Sequence, residues 1–164
     1  MNMKCAFVWL LCTGCLCSAT CFAAETNAVP SDFKLSAEYR QGFSEWKPWK
    51  VIITADGKVL REIGTSRGGK DGATQKTSVF STKELQQLVE AVRTSQFFTL
   101  KNNYGYGVTD NPTLIVHVTM NGKSHEVEVY APDYLKDNKE VKRFMKLWNE
   151  LLRKVPSPNG EKSE

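Results

Sequence analysis

Two histidines are the side chains best suited to acid–base or metal chemistry. His117 and His125 lie in two segments of alternating apolar and polar residues that flank Asn121-Gly122. This dipeptide favours a two-residue hairpin turn, which pairs His117 with Glu126 on one face of a sheet. His125 then lies on the opposite face, so the two imidazoles cannot bind one metal ion. We therefore expect no metal and no cofactor.

Proton transfer and nucleophilic attack are the other reactions to consider for these residues. His117 beside Glu126 has the residue types of a proton-transfer pair, although such neighbours are more often a simple cross-strand polar pair. A nucleophilic site needs a serine within reach of a histidine that a carboxylate orients. The serines lie in predicted loops and strand ends. A small secreted hydrolase with a spatially assembled site is therefore an alternative function, and a protein without catalysis is favoured.

A glycine-rich segment over residues 64–71 matches a phosphate-binding loop as far as Lys70. The next position of that motif should be Ser or Thr, whose hydroxyl binds Mg²⁺, but it is Asp71. The motif should also open a helix whose amide groups hold the phosphate, whereas the following residues are typical of a strand. We interpret the segment as a loop between strands and expect no nucleotide.

A tyrosine- and glycine-rich segment over residues 102–110 is the strongest candidate for binding. Glycine lets the backbone approach a partner, and tyrosine offers a flat amphipathic ring. We predict a binding surface made of Tyr104, Tyr106 and Asp110, with Trp46 and Trp49 as candidate neighbours. The alternative, that the tyrosines fold back over the sheet edge, is equally open.

The elements that position these residues follow from short-range patterns. Residues 33–40 alternate strictly and predict a strand, and residues 49–63 predict a hairpin in which a left-handed Gly57 pairs Ile53 with Val59. A further strand is predicted over residues 75–80. Ser81 and Glu84 form the pattern of a capping box, which starts a helix. The second hairpin then surrounds Asn121-Gly122.

A long amphipathic helix is predicted over residues 141–155, because apolar residues recur there at helical spacing. Its polar side is rich in lysine and arginine, a composition that can hold anionic lipid or polymer. We interpret this side as a solvated face, with a basic adaptor for anionic envelope polymers as an alternative function. The element order is strand, hairpin, strand, helix, hairpin, helix. This order predicts an α+β fold, an antiparallel sheet of about six strands with two helices packed on one face.

The first 23 residues have the composition of a secretory signal. A start with one basic residue, Lys4, precedes an apolar stretch over residues 5–17 and then small residues that allow cleavage after Ala23. A lipoprotein signal with Cys15 as the lipidated residue is the alternative. The stretch is shorter than the roughly 20 apolar residues of a membrane-spanning helix. We expect a secreted or periplasmic protein without a transmembrane helix, or a membrane-tethered lipoprotein.

The mature chain would contain no cysteine, because all five cysteines lie within residues 5–21. Removal of residues 1–23 takes away one lysine and no acid, and lowers the formal net charge from +4 to +3. This charge is too small to indicate a nucleic-acid partner. We predict a linker over residues 24–32, a single domain over residues 33–155 and a disordered tail over residues 156–164.

Several motifs over residues 49–155 resemble a widespread family of bacterial exported proteins and lipoproteins, known as a domain of unknown function. The motifs that carry the resemblance include Asp56-Gly57-Lys58-Val59, Gln96-Phe97-Phe98-Thr99-Leu100, Val108-Thr109-Asp110-Asn111-Pro112 and Asn121-Gly122-Lys123. That family often has Cys-x-Gly-x-Cys-Pro before the first hairpin, where this chain has residues 43–48 and keeps the proline alone. The resemblance implies export and the fold, and it implies no activity. We therefore expect an exported, non-catalytic binding module whose partner is a protein or another envelope component.

Overall fold

The computed structural model describes residues 28–43, 46–64 and 74–157. Within these ranges the chain forms one seven-stranded sheet and two α-helices, which confirms the predicted α+β class. The strands are β1 Lys34–Arg40, β2 Trp49–Thr54, β3 Lys58–Ile63, β4 Thr74–Val79, β5 Asn103–Tyr104, β6 Thr113–Met120 and β7 Lys123–Tyr130. The helices are α1 Thr82–Thr94 and α2 Lys139–Lys154, with short 3₁₀ helices at Phe97–Thr99 and Pro132–Leu135. The predicted signal with Cys15, most of the glycine-rich loop and the tail beyond residue 157 lie outside the described residues.

The sheet has the order β4-β3-β2-β1-β6-β7-β5, so the first strand is the central one. Six strands are antiparallel and correspond to the six that the sequence predicts. The seventh, β5, pairs in parallel with β7 and lies in the tyrosine- and glycine-rich segment, for which no strand is predicted. Two residues are too few to show a strand pattern, and β5 is instead fixed by its pairing, which includes a 2.7 Å hydrogen bond from Glu128 N to the carbonyl oxygen of Asn102.

Both hairpins have the predicted registers. Ile53 lies opposite Val59 in the first, and Gly57 has a φ of 82°, the left-handed conformation that this turn requires. In the second hairpin His117 lies opposite Glu126. Gly57 also lies against the start of α1, where a Cβ at this position would be 2.8 Å from the carbonyl oxygen of Phe80.

The core lies between the two helices and one face of the sheet. Alternate residues of β1 are buried, as in Leu35, Ala37 and Tyr39, and they join buried residues of both helices in one apolar cluster. Trp49 in β2 contacts Trp148 in α2 with ring centroids 5.4 Å apart. Burial of a large apolar side chain stabilises the fold by about 1.5–3 kcal/mol. We call the opposite face of the sheet, with residues such as Ser36, Ile52 and His117, the outer face.

Side chains cap helix α1 at both ends. Ser81 Oγ accepts a 3.3 Å hydrogen bond from Glu84 N, and Ser81 N donates a 2.8 Å bond to Glu84 Oε2, which confirms the predicted capping box. At the other end Arg143 Nε donates to the carbonyl oxygen of Ser95 at 2.9 Å. Its Nη2 donates to the carbonyl oxygen of Gln96 at 2.8 Å. One basic residue of α2 is thus used inside the fold.

Three connections emerge together at one end of the sheet, which we call the loop end. The last residue of β1, Arg40, lies opposite Thr113 at the start of β6, and Thr113 lies opposite Tyr130 at the end of β7. The residues that follow β1, precede β6 and follow β7 therefore lie side by side. At the other end Asp32, the last residue of the predicted linker, accepts hydrogen bonds from Asn121 N at 2.9 Å and Gly122 N at 2.6 Å.

Candidate functional site

Four exposed aromatic side chains lie at the loop end and form what we call the aromatic end. They are Phe43 (86% exposed), Trp46 (56%), Tyr106 (52%) and Tyr134 (55%). Within the described ranges the other large apolar side chain that is exposed is Val79, in β4. Exposed aromatic rings are therefore concentrated where the three connections meet.

The two exposed tyrosines are held against each other. The rings of Tyr106 and Tyr134 stack with centroids 5.3 Å apart and an interplanar angle of 13°. Tyr106 belongs to a tight turn in which Val108 N donates a 2.8 Å hydrogen bond to the carbonyl oxygen of Tyr106. Tyr130 Oη donates a 2.8 Å bond to the carbonyl oxygen of Val108 and ties this turn to β7. The pair is thus ordered before any partner arrives.

Backbone hydrogen bonds join the three connections to one another. Phe43 N donates to the carbonyl oxygen of Asp110 at 2.9 Å, and Ala131 N donates to that of Pro112 at 3.0 Å. Gly42 lies so close to the second connection that a Cβ there would be 2.4 Å from the carbonyl carbon of Asn111. Asp110 itself is exposed and adopts a left-handed backbone with a φ of 61°. The three connections that carry the exposed rings are therefore held together through their backbones.

The two predicted tryptophans have different environments. Trp46 is exposed and lies 5.9 Å from Tyr39, between ring centroids. Trp49 is 4% exposed, stacks on Tyr39 and makes a tilted ring contact with Trp148. Trp46 is therefore accessible to a partner, whereas Trp49 anchors the aromatic end to the core.

The two predicted tyrosines are likewise separated. Tyr104 is 9% exposed, and its hydroxyl accepts a 2.8 Å hydrogen bond from Lys101 N and donates a 3.0 Å bond to Glu140 Oε2. Burial raises the pKa of the Tyr104 hydroxyl. Of the residues predicted to bind, the structure thus brings Tyr106, Trp46 and Asp110 to the surface and places Tyr104 and Trp49 inside. Phe43 and Tyr134 belong to the same surface and were not predicted.

A shallow cleft of about 320 Å³ opens beside Trp49 at the loop end. Its apolar part includes Pro48 and Tyr39. Its polar rim lies on the outer face, where Lys50 of β2 is flanked in register by a glutamate from each neighbouring strand, Glu38 and Glu62. The cleft therefore adds one positively charged and two negatively charged side chains next to the aromatic end.

The two histidines lie on opposite faces of the sheet, as predicted. His125 Nε2 is 2.9 Å from the carbonyl oxygen of Leu100, and its ring contacts Phe97 at 5.6 Å. On the outer face His117 Nε2 is 2.8 Å from Ser124 Oγ. The predicted register was sufficient to anticipate this contact. Ser124 lies two residues before Glu126 in β7, so both side chains are on the outer face with His117.

Neither a metal site nor a nucleophile elbow is formed by the residues that the structure describes. In residues 28–43, 46–64 and 74–157, no three His, Cys, Asp or Glu side chains are grouped to hold a metal ion. The spacing Gly-x-Ser-x-Gly occurs at residues 64–68. A nucleophile elbow joins a strand to a helix, whereas this segment joins β3 to β4. Ser66 lies outside the described residues.

Comparison with known proteins gives a family and no curated relative. In the described ranges, no helix is both long and apolar enough to cross a membrane. A search of curated proteins found no match to the chain. Residues 47–152 match a family described as a domain of unknown function, DUF6438. The match runs from just before β2 nearly to the end of α2, and it includes Tyr106 and Tyr134 but neither Phe43 nor Trp46. Because it covers more than half of the sequence, the chain belongs to the DUF6438 family.

Proposed function

We propose that this chain is an exported, non-catalytic binding module that contacts its partner through the aromatic end. The observation that carries the proposal is the concentration of exposed rings at the loop end, with Phe43 the most exposed at 86%. Soluble proteins rarely expose contiguous apolar patches without a use for them, and such patches mark interaction sites.

The chemistry of the aromatic end supports a binding role. Tryptophan and tyrosine are enriched among the residues that dominate binding energy, because they combine a large apolar area with a polar group. The stacked pair of Tyr106 and Tyr134 is already ordered, so less side-chain entropy is lost on binding. The nearby cleft with Lys50, Glu38 and Glu62 supplies polar contacts that would select among partners.

Export is the second part of the proposal, and it rests on the signal-like residues 1–23. The mature protein would begin at Ala24, contain no cysteine and meet its partner, a protein or another envelope component, outside the cytoplasm. The alternative is a lipoprotein anchored through Cys15. Intact mass of the protein from soluble and membrane fractions of its own cells distinguishes these forms. A full-length chain that keeps residues 1–23 in the soluble fraction would contradict export.

The binding role is tested by removing the exposed rings. We expect the purified chain, immobilised and exposed to envelope extract from the producing cells, to retain a component reproducibly. The double variant Tyr106→Ser/Tyr134→Ser and the single variant Trp46→Ser should each lose most of that component. Val79→Thr is the matched control, because it changes an exposed apolar residue (70%) that lies away from the loop end in β4.

Two results would contradict this role. In the first, the aromatic variants retain the component as well as the original chain does. In the second, Val79→Thr loses the component to the same extent, which would indicate nonspecific adhesion to apolar surface. Circular dichroism of each variant serves as the control for an intact fold.

A small hydrolase is the second candidate, favoured by the 2.8 Å contact between Ser124 Oγ and His117 Nε2. A serine next to an imidazole is the arrangement that activates a hydroxyl for attack on an ester. Hydrolysis of 4-nitrophenyl acetate by the purified chain would support it if Ser124→Ala and His117→Ala each abolished the rate above background. A rate that survives either substitution would exclude this pair as the catalytic site.

A further inference from the structure

A second surface, which we call the basic groove, lies between the 3₁₀ helix Pro132–Leu135 and α2. It is a cleft of about 520 Å³. Its apolar floor is formed by Pro132, Val141 and Met145, and its polar rim has three lysines and one acid: Lys136, Lys142, Lys146 and Asp133. The volume is in the range of roughly 300–1,000 Å³ that small-molecule sites occupy.

The floor of the groove is continuous with the core. Val141 is 1% exposed and belongs to the apolar cluster, and Met145 is half-buried and packs against it. The two residues are four apart in α2 and therefore follow one another along the same side of the helix. Methionine is flexible and adapts to ligands of different shape. A hydrocarbon chain laid along the groove would meet apolar atoms over about one helical turn.

The rim of the groove keeps an excess of positive charge. Lys136 Nζ is 3.2 Å from Asp133 Oδ1, and Lys142 Nζ is 3.9 Å from Asp137 Oδ1, but all four side chains are more than half exposed. Such pairs contribute little because water and salt screen them. Lys146 makes no ion pair within the described part of the chain. These lysines differ from Arg143, whose guanidinium donates to the carbonyl groups at the end of α1.

We propose that the basic groove binds a single-chain anionic amphiphile, with a fatty-acid monomer as the ligand. Its hydrocarbon chain would lie on Val141 and Met145, and its carboxylate would meet Lys142 and Lys146. A ligand needs both parts to use both features, because an inorganic anion leaves the floor uncovered and a neutral chain leaves the excess positive charge of the rim unbalanced. The 3₁₀ helix bounds the groove on one side, which suits one chain rather than a membrane surface.

Methionine-methyl NMR of the purified chain tests the proposal directly, with sodium dodecanoate added below the concentration at which it forms micelles. We expect the methyl signal of Met145 to shift and to saturate. Met120 is the internal control, because it is 6% exposed in β6, away from the groove, and its signal should stay in place. Decanoate should bind more weakly, by about two- to fourfold for each methylene removed.

Two double variants separate a specific site from general attraction to positive charge. Lys142→Gln/Lys146→Gln should weaken dodecanoate binding about tenfold. Lys83→Gln/Lys123→Gln removes the same charge from α1 and β7 and should leave the affinity unchanged. All four lysines are on the surface, so unfolding is not expected, and the Met120 signal reports on it.

Four outcomes would overturn the proposal. The proposal fails if the shift of the Met145 signal does not saturate with dodecanoate. It also fails if the shift depends on protein concentration, because it would then report contact with a second copy of the chain. Equal binding of an uncharged dodecyl amphiphile, with no effect of the lysine variants, would reduce the groove to a nonspecific apolar contact. Binding to anionic vesicles without binding to monomeric dodecanoate would identify a membrane-docking surface instead.

Discussion

The hydroxyl of Tyr104 donates a 3.0 Å hydrogen bond to Glu140 Oε2, and this contact joins the short edge strand β5 to the first turn of α2. Two residues further along the chain, Tyr106 is exposed and stacks on Tyr134. The two tyrosines of this glycine-rich segment therefore have different structural roles. Tyr104 holds the segment to the domain, and Tyr106 is presented at the surface.

Tyr104→Phe should lower the free energy of unfolding by about 1–2 kcal/mol, because it removes the bond to Glu140 and leaves the amide of Lys101 without its acceptor. The shift of the urea midpoint measures this loss. Tyr106→Phe is the matched control, since it removes the same atom from an exposed ring and should change stability by less than about 0.5 kcal/mol. Equal effects of the two substitutions would contradict the assignment.

Arg143→Met should cost about 2–3 kcal/mol, because Ser95 is 1% exposed and the carbonyl groups at the end of α1 lose a charged donor. Arg143→Lys should restore little of the loss, because one ammonium group cannot replace a planar fork with several donors. Thermal and urea unfolding measure the change. Lys146→Met, on the exposed side of the same helix, should be close to neutral, and a comparable loss there would argue against the role given to Arg143.

The protein should lose stability in acid, because two aspartates have pKa values that are lowered in the folded state. Hydrogen bonds from Thr54 and Lys58 lower the pKa of Asp56 from 3.8 to about 2, and the amides of Gly122 and Asn121 lower the pKa of Asp32. A carboxyl group whose pKa is lower in the folded state stabilises the fold above its unfolded pKa. That stabilisation is lost as the pH falls from about 4 towards 2.

The pH effect is measured by comparing unfolding of the original chain and of Asp32→Asn between pH 2 and pH 6, a window set by the ordinary aspartate pKa of 3.8. We expect the original chain to be the more stable of the two above about pH 4 and the difference to shrink towards pH 2. The same comparison with Asp56→Asn should behave alike. A difference that stays constant across the range would show that neither carboxylate charge matters.

Gly42→Ala should disturb the aromatic end. Its new methyl group would lie 2.4 Å from the carbonyl carbon of Asn111 and 2.5 Å from the carbonyl oxygen of Asp110, so the backbone of one connection must move. We expect a loss of about 1–3 kcal/mol in stability and weaker retention of the envelope component. Gly107→Ala is the control, because a Cβ there meets nothing within 4 Å. If both variants behaved like the original chain, the close packing of the two connections would be irrelevant to the surface.

The parts of the fold that short-range rules specify could be predicted from the sequence. The turn at Asn121-Gly122 sets the register of β6 and β7, and the left-handed Gly57 sets that of β2 and β3. The capping box of Ser81 and Glu84 marks the start of α1 in the same way. In each case the deciding atoms lie within a few residues of one another, so the tertiary structure does not need to be known.

The rest of the candidate site depends on contacts between distant segments. The burial of Tyr104 depends on Glu140, 36 residues later, and the position of Tyr106 depends on Tyr134. No local pattern predicts that β1 would insert between the two hairpins and bring three connections to one end. The tyrosine-rich segment could therefore be recognised as a candidate, but which of its rings would be accessible could not.

In the described structure, β1 is the sole strand that joins the two halves of the sheet, since β2 and β6 pair with it and not with each other. The family match begins at residue 47, after β1 has ended. A gene fragment cut to residues 47–152 would thus encode both halves without the strand that connects them, and would leave β2 and β6 as open edges prone to aggregation. For this fold, the segment that the family match recognises therefore lacks the central strand of the sheet.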